Sequence, residues 1–226
     1  MRLLFPSVPF RIFNGVLVES EPCTGIADSI REVEEHGVPF GVQVRSARHP
    51  AAEEEAARLG LTERQPLPGM AATPDELRDV IVPGLEIVHV EDEKGLIDAA
   101  QVAGTGFEAP NDLLQPLYAP AVLGLDGLAV YLGRVEGETV TTGIGYQTGG
   151  DVAIFSVATP ARHRRRGYGA AVTAHAARVG FENGADLAWL QTSELGESVY
   201  RGLGFRHVEM HVMLARPSPS ETLRGG

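Results

Sequence analysis

The stretch from Val152 to Ala170 constrains this chain more than any other. It opens with the apolar run 152–157, rich in β-branched and aromatic residues, which predicts a buried strand. Pro160 has no N–H to donate and ends that ladder. A basic loop, Arg162 to Arg166, follows, with glycines at Gly167 and Gly169. The next run, 170–181, predicts a helix, because Val172, Ala176 and Val179 recur at i, i+4 and i+7 on one face. Strand, basic glycine loop and helix N-terminus together suit an anion such as a pyrophosphate. The first turn of a helix has unpaired N–H groups and a partial positive charge. Glycines let the backbone come close to the oxygens, and arginines add forked, charge-assisted hydrogen bonds.

The spacing Arg164-x-x-Gly167-x-Gly169 has a second motif downstream, Tyr200-Arg201-Gly202-Leu203-Gly204-Phe205. Together they resemble the pyrophosphate loop and the Tyr-x-x-Leu-Gly-Phe signature of the GNAT superfamily, the acetyl-CoA-dependent N-acetyltransferases. The resemblance covers about Leu85 to Leu214. It implies a mixed α/β (α+β) fold with a mostly antiparallel central sheet flanked by helices. It implies acetyl-CoA as co-substrate and an amine-bearing acceptor as partner, and it is compatible with a homodimer. Pyrophosphate would sit on the loop Arg164, Arg165, Arg166, Gly167, Tyr168, Gly169 and Ala170. Pantetheine would lie between two splayed strands, bonded to the backbone of Val157 and Thr159. Ser193 stands where the family often has Asn, with a shorter reach. Tyr200 matches the tyrosine that often serves as general acid. Asp151, Glu194, Glu197, His163 and His175 are the nearby titratable groups, and none stands out as the base. The nucleotide P-loop is a poor match, since no Lys-Ser or Lys-Thr follows the glycines.

Composition sets outer bounds. With 226 residues, 43% of them hydrophobic, the chain can bury one large core or two small ones. A net charge of −11 argues against nucleic acid as partner and is compatible with a cationic substrate. Cys23 is the only cysteine, so no intrachain disulfide forms. No apolar run reaches the ~20 residues that span a bilayer, and the N-terminus lacks a signal-peptide core. A soluble, cytoplasmic protein is expected, without membrane contact. The run Glu53-Glu54-Glu55 offsets a helix dipole and predicts no metal site.

Taken in order, 11–20 predicts a strand and 26–37 a helix capped by Thr24 and stopped by Gly37. A strand over 39–44 and a helix from Pro50 to Leu59, closed by Gly60, come next. Residues 61–70 read as extended and interrupted by prolines. Val82-Pro83-Gly84 marks a boundary. The expected organisation is therefore a smaller α/β N-terminal part over 1–82, an acetyltransferase-like domain over 83–216 and a polar tail over 217–226. The N-terminal part has no basic glycine loop and reads either as a degenerate acetyltransferase-like half or as an unrelated α/β extension. Within the larger domain, 85–90 predicts a strand. Residues 93–104 and 111–118 predict helices, the second capped by Asn111, and by the resemblance these would wall an acceptor cleft with Phe107 and Tyr118. A hairpin over 127–147 turns at Glu136-Gly137-Glu138. A strand over 187–192, a helix over 194–203 capped by Ser193, and strands over 205–215 complete the chain. Two functions fit. One is N-acetyl transfer to a primary amine of a small molecule or peptide by direct attack. The other is an acyl-CoA-binding sensor or regulatory protein with weak turnover.

Overall fold

A computed structural model of the chain describes residues 1–4, 6, 10–20, 25–193 and 196–217. In chain order the elements are β1 (Arg2–Leu4), β2 (Asn14–Leu17), α1 (Ile26–Glu34), β3 (Gly41–Arg45), α2 (Pro50–Arg58) and β4 (Glu63–Ala72). Then come β5 (Leu85–His89), α3 (Glu93–Gly106), α4 (Asn111–Leu114), β6 (Leu128–Val135), β7 (Glu138–Thr148) and β8 (Asp151–Ala158). The last are α5 (Tyr168–Glu182), β9 (Leu187–Gln191), α6 (Glu197–Gly202) and β10 (Arg206–Ala215). Two compact units result: 1–68 with the segment from Glu209, and 69–208. The expected boundary at Val82–Pro83 falls inside the second unit. The end of β4, Gly69 to Ala72, pairs there with β9.

In the first unit β1 pairs antiparallel with β2, β2 parallel with β3, and β3 antiparallel with β10. Its core joins Val16, Ile30, Val33, Val42, Ala56, Leu61, Val212 and Leu214, all buried. Helix α1 supplies Ile26, Ile30 and Val33 from one face, as their spacing requires. Thr24, its expected cap, lies outside the described residues, and Gly25 precedes the helix with φ +80°. The strand expected over 11–20 is shorter. Arg11–Phe13 is a 3-10 turn, because the Phe13 N–H and the Asn14 side-chain amide both donate to the Phe10 carbonyl, at 3.0 and 3.1 Å. The proline-interrupted stretch is extended as expected and forms the ten-residue β4. Pro66 and Pro68 precede the ladder with β9, which begins at Gly69.

In the second unit the strand order is β4-β9-β8-β7-β6-β5. Only β8–β9 is parallel; the other four pairings are antiparallel. The two faces are covered by different helices. A side chain added at Gly143 would meet Val172 of α5, and one added at Gly106 of α3 would meet the Ala158 methyl. Ala158 pairs with Thr142, and Gly143 points to the opposite face from Thr142, so α5 and α3 lie on opposite faces. The α5 side holds the core: Met70, Val152, Ile154, Val172, Ala176, Ala188, Leu190, Leu203 and Phe205.

The hairpin turn at Glu136-Gly137 has φ +50° and +83°, which selects a glycine at its second position. Several ends differ from expectation. Asn111 is the first residue of α4, with Pro110 at the cap position, and Pro116 turns the chain into a 3-10 stretch over Gln115–Tyr118. Helix α5 starts at Tyr168, two residues early. Helix α6 covers Glu197–Gly202, and Glu194 and Leu195 of the expected helix lie outside the described residues. The strands expected over 205–215 are the single β10. No described helix is long and apolar enough to cross a membrane.

Candidate active site

The organising strand β8 has a different neighbour on each side. Toward β9 the pairs run only from Asp151–Leu187 to Ala153–Trp189, although both strands continue. Beyond Ala153 the two strands part, and the backbone of β8 faces a gap. Toward β7 the register jumps from Ile144–Phe155 to Thr142–Ala158, so Ser156 and Val157 together oppose Gly143. This β-bulge puts Ser156 at φ +52°, in the left-handed region. The Tyr118 hydroxyl meets Ser156 Oγ at 2.7 Å. Burial pushes the Tyr118 phenol up to about 12, against the opposing effect of that hydrogen bond.

The loop after β8 is braced before it reaches α5. The Arg164 guanidinium donates to the Thr159 carbonyl at 3.1 Å, to the Gly106 carbonyl at 2.7 Å and to the Glu108 carboxylate at 3.4 Å. Arg162 and His163 both reach Glu138 Oε1, at 3.0 and 3.2 Å, and Arg162 above all holds that carboxyl below its usual range. Arg165 at φ +64° and Gly167 at φ +83° then turn the chain into the helix. Ala171 is the first residue whose N–H returns to the loop, onto Gly167 O at 2.9 Å. The N–H groups of Tyr168, Gly169 and Ala170 belong to the unpaired first turn. Arg165 and Arg166 are exposed and have no ion-pair partner among the described residues. Tyr168 buries its ring near His163, at 6.5 Å between centroids, so it offers a ligand only its backbone.

A cavity of about 340 Å³ adjoins this cradle. Val157, Ala158, Thr159, Arg164 and Gly169 line one part of it, and Gly106, Phe107, Gly196, Val199 and Tyr200 the rest. A Cβ at Gly169 would find the Thr159 hydroxyl at 3.4 Å and Val157 at 3.7 Å, so a side chain there would fit the protein and occupy the cavity. Tyr200 is half-buried, with its ring edge toward Phe205 at 6.2 Å. Burial raises its phenol above the usual range, and a hydrogen bond with Thr173 works the other way. Thr173 in turn donates to the Gly169 carbonyl at 2.8 Å, which links the tyrosine to the first turn of α5.

The structure thus gathers Val157, Thr159, Arg164, Gly169 and Tyr200 in one cavity. Gly167, Tyr168 and Ala170 shape the helix start beside it. Ser193 does not line the cavity; its Oγ accepts the Gly196 N–H at 3.3 Å and opens the turn into α6. Glu197 pairs with Arg201 at 2.6 Å, and His175 packs edge-on against Tyr131 at 5.0 Å. Phe107 lines the cavity, 51% exposed, whereas Tyr118 is buried behind it. Sequence reasoning did not find Gly106, Ala158, Val199 or the Tyr118–Ser156 pair. The one available signal was a serine inside an otherwise apolar strand.

Residues 105–205 match the family described as Acetyltransferase (GNAT) family. The sequence has no significant match among curated proteins. Among solved structures, a GCN5-related N-acetyltransferase from Kribbella flavida is similar at TM-score 0.67 and 24% identity, covering 92% of this chain and 80% of its own. A functionally unknown conserved protein from Staphylococcus epidermidis also reaches TM-score 0.67, at 14% identity over 96% of this chain and 92% of that one. A GCN5-related N-acetyltransferase from Sphaerobacter thermophilus follows at TM-score 0.62 and 18% identity, covering 87% and 70%. The fold agrees with that of these solved structures, and residues 105–205, which carry the cradle at α5, are similar to the GNAT acetyltransferase family.

Proposed function

We propose that this chain transfers an acetyl group from acetyl-CoA to a primary amine by direct attack. The observation that carries the reading is the single cavity into which the parted β8, the first turn of α5 and the Tyr200 phenol all open. Acetyl-CoA would supply the thioester. The N–H groups of residues 165–170, with the unpaired Arg165 and Arg166, bind the pyrophosphate. The backbone of Val157 and the N–H of Thr159 bond the pantetheine as a strand would; the Thr159 carbonyl is already taken by Arg164. The free amine attacks the carbonyl carbon, the carbon–sulfur bond breaks, and Tyr200 gives its proton to the departing sulfur. The nitrogen sheds its extra proton to water, which returns one to the Tyr200 phenolate. Its raised pKa keeps that proton in place at neutral pH.

Thiol release from acetyl-CoA, followed with a panel of amines and confirmed by the mass of the acetylated product, tests this. Transfer to at least one amine is expected. Tight CoA binding with no transfer to any amine would turn the reading to an acyl-CoA sensor, and absence of CoA binding would end both.

A further inference from the structure

The α3 face of the sheet carries an aromatic platform where β8 and β9 part. Tyr146, Ala153 and Trp189 form one row across β7, β8 and β9, since each is the register partner of the next. Register partners share a face, and Tyr146 has the same parity along β7 as Thr142, so the row lies on the face that α3 covers farther along. Phe155 stands two residues beyond Ala153 on β8, just before the bulge. Exposure is 38% for Tyr146, 40% for Trp189 and 43% for Phe155. Tyr146 and Trp189 are two strand spacings apart, about 10 Å, with the small Ala153 between them.

Three neighbouring rings, each more than a third exposed on one sheet face, offer a flat apolar surface for stacked and edge-on contacts. Two features favour a small ligand as occupant. Together the rings expose on the order of 250 Å², far short of the roughly 800 Å² per partner of a stable protein interface. The platform is also continuous with the gap. Trp189 is in the last β8–β9 pair, and Phe155 is followed within two residues by cavity-lining Val157. We infer that Tyr146, Phe155 and Trp189 hold the flat apolar part of the acceptor, and that the acceptor is an arylalkylamine. This rests on the acyl-transfer reading above. An amine at the thioester in the gap would lay an attached ring across the platform, where stacked and edge-on contacts favour aromatic over aliphatic groups.

Trp189 is the only tryptophan in the chain, so its emission reports on the platform without any need for turnover. The test titrates the full chain, with CoA present, with 2-phenylethylamine and with butylamine, a cation of equal charge without a ring. Expected is a saturable change in Trp189 emission, with 2-phenylethylamine binding about tenfold tighter than butylamine. Phe155→Ala should remove most of that difference while leaving CoA affinity unchanged, and Phe155→Tyr should restore it. Equal responses to the two amines, or none, overturn the platform even if both amines are acetylated, in which case the transferase reading survives alone. An emission change without acetylation keeps the platform and removes the transferase reading. An emission change that follows protein concentration rather than amine assigns the face to a second copy of the chain and overturns the proposal.

Discussion

The Tyr118 hydroxyl and Ser156 Oγ, 38 positions apart in sequence, sit 2.7 Å from each other and tie the 3-10 turn after α4 to the bulge of β8. Val157 and Ala158, the next two residues, line the cavity. The bond therefore braces the cavity-lining end of β8 against the 3-10 turn. Removing the hydroxyl in Tyr118→Phe should lower stability by about 1–2 kcal/mol, since Ser156 loses a buried partner. Thermal melting reads this directly. An unchanged melting temperature would show the bond to be absent in solution.

Ser156 permits a sharper check on the bulge. Ser156→Ala and Ser156→Gly both delete the hydroxyl, but only glycine adopts φ near +52° without strain. The glycine variant should be the more stable of the two by about 1 kcal/mol. The reverse order would contradict the left-handed backbone at the bulge.

CoA binding should depend on Gly169. A Cβ is accommodated there by the protein itself, so Gly169→Glu should fold. Its carboxylate would stand where the pyrophosphate is proposed to sit. Repulsion and blocked approach should weaken binding by about 2–3 kcal/mol, several tens-fold or more. Wild-type CoA affinity in calorimetric titration of the folded variant would end the pyrophosphate assignment.

Tyr200→Phe separates a general acid from a packing residue. If Tyr200 protonates the leaving sulfur, kcat should fall roughly 10²-fold or more while KM for acetyl-CoA changes little. The reverse pattern, a normal kcat with a lower melting temperature, would remove Tyr200 from the chemistry and leave it as a partner of Thr173.

The pH dependence of stability should show the sign of His175. Burial foremost, then the Arg178 charge, lowers its pKa below the usual value, with Glu182 opposing. The folded protein then holds fewer protons than the unfolded chain between the lowered value and about 6.5. Stability rises with pH through that window and is lost as the pH falls below about 6.5. His175→Gln should flatten this slope in denaturant titrations at pH 5 to 7. His211, shifted in the same direction chiefly by burial, keeps the slope from vanishing. An identical slope in the variant would show that His175 does not contribute.

Most of the second unit was legible because its signals are local. The Val152–Val157 run, Pro160, the paired glycines and the Leu203-Gly204-Phe205 stop each act within a few residues, and β8, α5 and α6 lie close to where they are expected. The roles of individual side chains depended on neighbours distant in sequence. Arg164 reads as a phosphate ligand from its motif, yet its guanidinium is held by Gly106 and Thr159 carbonyls that only the fold brings near. Ser193 reads as a pantetheine contact and spends its oxygen on Gly196. The 3-10 turn at Arg11–Phe13 replaced a strand because the Phe10 carbonyl captured two donors, a choice that no periodicity reveals.

The pairing of β3 with β10 gives the first unit an unusual history during synthesis. Its sheet needs Val212 and Leu214, which are made only after the whole of 69–208. Domains ordinarily close in the order they leave the ribosome. Here the segment 1–68 is made before 69–208, and Val16, Val42 and Val44 lack Val212 and Leu214 until the residues from Glu209 onward have followed. Strand β10, made after 69–208, is thus the one that ends the exposure of β3.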